Sequence, residues 1–235
     1  MKNITVCKSC NSENPFYGLI CTNCKSYLRE RIYNIDLWSI IGLLIESPSK
    51  AFKTIIFSEH KNYLVLLFFL IAGKLFLNGI FLTIYSSKWN AYLSGYLSSY
   101  LIALFLTIAM ILIFSGTFNL LTKRFGVSTK FKDDFSILTY SFMPYTFGFL
   151  LIFPIELVIF GETLFYYDPS PFILKPAIAY ALVAFEGLII LWSVFLTFTA
   201  LKVQSRNAVY SLIFAIFIHI TLYLILYFIS LSIYL

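Results

Sequence analysis

The sequence predicts an all-α integral membrane protein, a five-helix transmembrane bundle with a small N-terminal zinc ribbon. Three observations carry that prediction. Hydrophobic residues make up 60% of the 235-residue chain and charged residues only 12%. Soluble domains average about 25% charged residues, so this chain cannot cover a water-facing surface. Five long apolar stretches follow one another between positions 63 and 234, and all 4 cysteines fall in two close pairs near the N-terminus.

The cysteines come first. Cys7-Lys-Ser-Cys10 and Cys21-Thr-Asn-Cys24 form two CxxC knuckles separated by ten residues. Each knuckle can present two thiolates, and the four together complete a tetrahedral zinc site. With four protein ligands no coordination position stays open, so Zn2+ here is structural. A segment as short as 1–28 cannot build a hydrophobic core, and metal binding would supply its folding energy. The alternatives are a redox dithiol or four free cysteines; a redox CxxC needs a βαβ context that the flanking sequence lacks. The first thirty residues show neither an apolar h-region nor a small-residue cleavage site. The head is therefore expected in the cytosol, where thiols stay reduced.

Residues 29–62 mix apolar and basic side chains. Ile35, Leu37, Trp38, Ile41, Leu44 and Ile45 suggest a short amphipathic helix lying in the interface, with Trp38 at headgroup depth. Ser47-Pro48 reads as an N-cap followed by proline at the first helical position. The helix it opens would turn Ala51, Phe52, Ile55 and Ile56 toward lipid or protein, and Lys50, Lys53 and Lys61 toward anionic headgroups. A plain connector packed under the bundle is the other reading.

The membrane domain, 63–235, holds spans near Tyr63–Tyr85, Leu97–Leu121, Phe135–Phe160, Pro176–Leu201 and Ala208–Tyr234. Each has the roughly 20 residues a helix needs to cross about 30 Å of hydrocarbon. Helices are required because lipid offers no partners to backbone N–H and C=O groups. Of the 17 basic residues, all but Lys74, Lys88 and Lys175 fall on one side of these spans. The positive-inside rule makes that side cytoplasmic, with the N-terminus inside and the C-terminus outside.

Ionisable residues at bilayer depth are costly and point to pairing or function. Lys74, Glu186 and His219 fall within about one helical turn of the same depth on spans one, four and five. Lys74 shares its face with Asn78 and Tyr85, Glu186 with Ser193 and Thr197, and His219 with Tyr223. Glu186 is expected to pair with Lys74 or His219, either as a structural ion pair or as a transport site. Glu156, late in span three, is expected to be solvated at the outer interface. Pro144 and Pro154 predict a kinked third span, with hydroxyls of Ser141 or Thr146, or a neighbouring helix, meeting the freed carbonyls. Ala177, Ala181 and Ala184 form a small-residue stripe suited to close helix packing.

Three segments then carry a resemblance: Glu46-Ser-Pro-Ser-Lys-Ala-Phe52 before span one, Thr139-Tyr140-Ser141-Phe-Met-Pro144-Tyr145 in span three, and Trp192 with Leu201-Lys-Val-Gln-Ser-Arg206-Asn-Ala208 around the last cytoplasmic loop. In order and spacing, over about residues 44–225, they resemble the Yip-domain family of Ypt/Rab-interacting membrane proteins. The resemblance implies a five-span membrane domain and, by analogy, a small GTPase partner. Eukaryotic members carry Asp-Leu-Tyr-Gly-Pro before the spans, whereas Asp36-Leu-Trp-Ser-Ile40 lacks the Gly-Pro. A ribbon in front implies the prokaryotic branch, and hence a prokaryotic cell membrane.

The function expected from all this is a non-enzymatic scaffold or adaptor, whose ribbon binds a cytosolic or membrane protein while the bundle contacts lipids. The alternative is a small-molecule or ion transporter using Lys74, Glu186 and His219. No HExxH, G-x-S-x-G or phosphate-cradling loop argues for an enzyme. Scattered basic residues do not make a nucleic-acid surface. Whether the protein is an oligomer is left open.

Overall fold

The structure, a computed structural model, describes residues 4–87, 96–127 and 129–233. Lys88 and Tyr234, used in the sequence reading, lie outside those residues. A two-stranded antiparallel sheet, β1 (Ile4–Val6) and β2 (Glu13–Pro15), opens the chain, with Thr5 opposite Asn14. Two short helices follow, α1 (Leu37–Glu46) and α2 (Pro48–Phe57). The remainder is helical: α3 (Leu64–Ser87), α4 (Tyr96–Arg124), α5 (Phe131–Ser141), α6 (Met143–Phe147), α7 (Phe153–Phe160), α8 (Pro171–Leu174), α9 (Pro176–Ser205) and α10 (Ala208–Ile233).

Five segments among the described residues are long and apolar enough to cross a membrane: Leu64–Leu82, Leu97–Arg124, Phe131–Phe165, Pro176–Ser205 and Ala208–Phe228. Their outward faces carry exposed large apolar side chains, among them Phe105, Ile113, Val158 and Leu188. Such a surface has lipid as its natural solvent. α3 packs against α4, α5 and α10, while α9 packs against α10 and α5, so span one sits inside the bundle.

The third span is a chain of pieces. α5 ends at Ser141 with Phe142 as its C-cap, and α6 starts with Pro144 in its first turn. A π-helical turn, Gly148–Ile152, leads into α7, where Pro154 again occupies the first turn. Proline has no N–H to donate and its ring crowds the preceding turn, which is why both breaks lie just before a proline. The Ser141 hydroxyl bonds Leu138 O at 2.7 Å and that of Thr146 bonds Met143 O at 2.7 Å. From the neighbouring α9, Ser193 donates to the Ser141 carbonyl at 3.1 Å.

Side chains press closely on the backbone around the π turn. A Cβ on Gly148 would stand 2.9 Å from Ile189 Cδ1 and 3.1 Å from Lys74 Cε, and one on Gly73 would meet the Phe149 ring at 2.9 Å. Gly148→Ala is expected to destabilise the bundle by about 1–3 kcal/mol through overpacking. Thermal unfolding in detergent micelles measures the shift; an unchanged midpoint would show that the Lys74 stem can move aside.

The short helices before span one differ in their surroundings. On α1, Ile40 and Leu44 are buried, while Trp38 is 80% exposed and Ile45 also faces outward. On α2, which Ser47 precedes at the N-cap and Pro48 opens, Ala51, Phe52, Ile55 and Ile56 are all buried against α5 and α9. Lys61 departs from its expected place at the headgroups. Its side chain is 3% exposed and pairs with Asp133 at 2.9 Å. It also donates to Ile55 O and Ile56 O, capping the end of α2. Desolvation pushes the Lys61 ammonium below its ordinary value, against the pull of Asp133.

Candidate functional site

The N-terminal knuckles repeat one local design. Cys7 N–H bonds Ser12 O at 3.0 Å and Asn11 N–H bonds Cys7 O at 3.0 Å; in the second knuckle Cys21 N–H bonds Ser26 O at 2.8 Å and Lys25 N–H bonds Cys21 O at 3.2 Å. Asn11 (φ 54°) and Lys25 (φ 58°) take the left-handed conformation that closes each turn. Buried Asn14 joins the halves: its Nδ2 donates to Ser12 O at 2.9 Å, and its Oδ1 accepts from Thr22 N–H at 2.8 Å.

The result brings the four Sγ atoms of Cys7, Cys10, Cys21 and Cys24 within 4.8 Å of one another. Cys7–Cys24 and Cys10–Cys21 are each 3.6 Å apart. Tetrahedral zinc with about 2.3 Å Zn–S bonds places its sulfurs about 3.8 Å apart, so the donor set fits such an ion. The Ser26 hydroxyl lowers the Cys7 thiol to about 7, and the Ser12 hydroxyl lowers Cys21 to about 5. Ser26 pulls Cys24 down, but Cys10, then desolvation and Cys7, hold it above its ordinary value.

Metal affinity should therefore weaken on acidification. The thiolate character of Cys7 and Cys21 persists above their depressed values and is lost as pH falls through about 7 and then about 5. Each further proton displaced by the metal costs about tenfold in affinity per pH unit. Competition against a chromophoric chelator from pH 8 to pH 5.5 should show this loss; a flat profile would contradict thiolate ligation.

The ribbon rests on the bundle through Phe16 and Tyr17. Phe16 is buried with its ring 5.0 Å from that of Phe57 on α2, and the Arg206 guanidinium lies 5.4 Å above it. The Tyr17 hydroxyl donates to Gln204 Oε1 at 3.2 Å and accepts from Lys130 N–H at 3.4 Å. Gln204 in turn donates from Nε2 to Asp134 Oδ1 at 3.2 Å. Asp134 Oδ2 accepts from Asn119 at 2.8 Å and from Thr129 at 2.7 Å. A hydrogen-bonded path thus runs from the ribbon tip to the buried ends of α4, α5 and α9. The linker is tied down as well, by Glu59 N–H to Ile32 O at 3.0 Å and by Arg31–Glu59 at 2.5 Å. Sequence reasoning left this whole contact unassigned, because nothing in Phe16-Tyr17 says what the rings cover.

Deeper in the bundle, Lys74 Nζ meets Glu186 Oε1 at 2.5 Å, with Lys74 fully buried. Asn78, on the same face of α3, donates to the Tyr223 hydroxyl at 3.4 Å, which lies 3.2 Å from that of Tyr145. His219 belongs to a separate group. Its Nε2 lies 3.1 Å from Ser193 Oγ and its Nδ1 3.0 Å from Ala215 O, and the ring stacks on Phe142 at 5.2 Å. Lys74 and Glu186 thus form one contact and His219 another.

Glu156 overturns its expected place. It is 6% exposed, buried rather than solvated, and its Oε2 has no hydrogen-bond partner. Together with Glu186 it lines a cavity of about 260 Å³ between α3, α7, α8 and α9. Its depth late in span three suggested solvation, but α8 and the first turns of α9 wall the cavity it lines.

Comparison with curated proteins and with solved structures found no match. A family model for the Yip1 domain matches residues 41–233, which begins within α1 and takes in every span. The chain belongs to the Yip1-domain family of membrane proteins.

Proposed function

We propose that this protein is a non-enzymatic membrane adaptor whose zinc ribbon, fixed to the ribbon-side end of the bundle, presents a docking face to a cytosolic protein. The observation that carries this reading is the Phe16–Tyr17 contact, which joins the cysteine cluster to Gln204 and Asp134. A closed four-sulfur site offers zinc no catalytic position, but it can hold a small head rigid. On the ribbon, Val6, Ile20 and Tyr27 are exposed, with Tyr27 at 77%. These are the side chains available to a partner.

The basic side of the spans is the ribbon side, which supports a cytoplasmic head; a prokaryotic cell membrane as its setting rests on the resemblance, in which a ribbon in front implies the prokaryotic branch. A small GTPase is the partner that family analogy suggests. The missing Gly-Pro after Asp36-Leu-Trp38 argues for a different cytosolic protein. A photo-crosslinking residue at Tyr27 tests the adaptor reading in intact membranes. The reading expects a defined cytosolic protein captured by the zinc-loaded chain and lost in Cys7→Ser/Cys21→Ser; recovery of lipids and the chain alone from both would overturn it.

A further inference from the structure

The cavity beside Glu156 lies on the far half of the bundle from the ribbon. It is walled by Phe81 and Tyr85 of α3, Phe160 of α7, Phe172 of α8 and the first turns of α9. Its lining is apolar apart from Tyr85, Glu156 and Glu186. Lys74 bonds Glu186, so one ammonium answers one carboxylate. Glu156 is left over, more than nine-tenths buried, with Oε2 unpartnered. Lys74, the cation whose charge reaches Glu156, is already bonded to Glu186, and buried polar atoms without partners call for an explanation.

Three kinds of positive partner can be weighed. A proton on Glu156 would neutralise the charge but leave the cavity unfilled. A hard metal ion needs six or more oxygen ligands, and two carboxylates among aromatic rings do not supply them. An organic ammonium suits both parts of the site: N–H donors for the free carboxylate, and ring faces that attract a cation within about 6 Å of the centroid. Its carbon chain would occupy the apolar remainder. We propose that this cavity binds a primary alkylammonium group, with Glu156 as its counter-ion and the aromatic wall as its cradle.

Access to the bilayer follows from the lining. Val183 is 53% exposed and Tyr85 37%, so the cavity borders the lipid-facing surface. Two sources can supply the group: the headgroup of an aminophospholipid, or a free amine partitioned into the membrane. The proposal is independent of the adaptor reading, whose test is read at the opposite end of the molecule.

The test uses the full-length, zinc-loaded protein in nanodiscs of phosphatidylcholine, titrated with octylamine and, separately, octanol. Calorimetry should find one saturable octylamine site per chain, weakened at least tenfold by Glu156→Gln and kept by the exposed Glu162→Gln. Octanol should not distinguish these proteins. Ala179→Phe, which fills the cavity from α9 while leaving the carboxylate, should abolish the site too. Equal octylamine uptake by the wild type, Glu156→Gln and Ala179→Phe would mean bilayer partitioning alone and would overturn the proposal. Repeating the titration with phosphatidylethanolamine in the disc separates the sources. Glu156-dependent competition identifies the lipid headgroup, and undiminished octylamine binding identifies a free amine.

Discussion

Cys21→Ser is expected to abolish metal binding and to release the ribbon from the membrane domain. Isolated zinc-finger peptides draw about 10–16 kcal/mol from their metal, and this ribbon has a β-hairpin of two three-residue strands and buried Phe16 to set against that loss. Without the second knuckle, Asn14 loses the Thr22 backbone it holds at 2.8 Å, and Phe16 and Tyr17 lose the frame that aims them at Phe57 and Gln204. Metal analysis should give one zinc per wild-type chain and none in the variant. Hydrogen exchange should show fast amides over residues 4–28, with little change in α3, α9 and α10. Chelation of the wild type should reproduce both effects. A protected ribbon without metal would contradict the account.

The second large effect belongs to Lys74. Lys74→Met is expected to destabilise the bundle by about 3–5 kcal/mol, because it leaves Glu186 without the cation it is bonded to. Lys74→Met/Glu186→Leu removes the 2.5 Å pair as a unit, and the loss should shrink to about 1–2 kcal/mol or less, since well-packed apolar replacements of buried pairs are often neutral. On that outcome the pair would orient α3 against α9 more than it strengthens the fold. Thermal unfolding of both variants in one lipid composition reads the difference. If the double variant is as unstable as the single one, the layer has a role beyond pairing two helices.

Which parts of this could be read from sequence follows from the range of the interaction. The five spans were legible because length and hydropathy are local properties, and the cysteine cluster because a metal constrains spacing within each knuckle. That Glu186 would pair with Lys74 or His219 was legible through equal depth on regular helices, and the choice of Lys74 comes from the fold. Glu156 was placed by depth alone, and depth does not show that α8 and the first turns of α9 cover that end of the span. Lys61 was hidden for another reason. A basic residue just before a span ordinarily snorkels to headgroups, and its actual partner, Asp133, lies two spans later in the chain. Asp134, Asn119 and Gln204 likewise sit at span ends, where polar residues are normally solvated; only tertiary structure brings them together.

The proposed zinc ribbon is expected to form a rigid part of the membrane domain. Its most direct test is a distance distribution from pulsed electron spin resonance between labels at Lys8 on the ribbon and Lys123 at the end of α4. The labels should be introduced through non-natural amino acids, so that the four cysteines stay with the metal. The zinc-loaded protein in nanodiscs should give one narrow peak that broadens on chelation and in Phe16→Ala/Tyr17→Ala. A broad distribution from the zinc-loaded wild type, indistinguishable from that of the double variant, would contradict it.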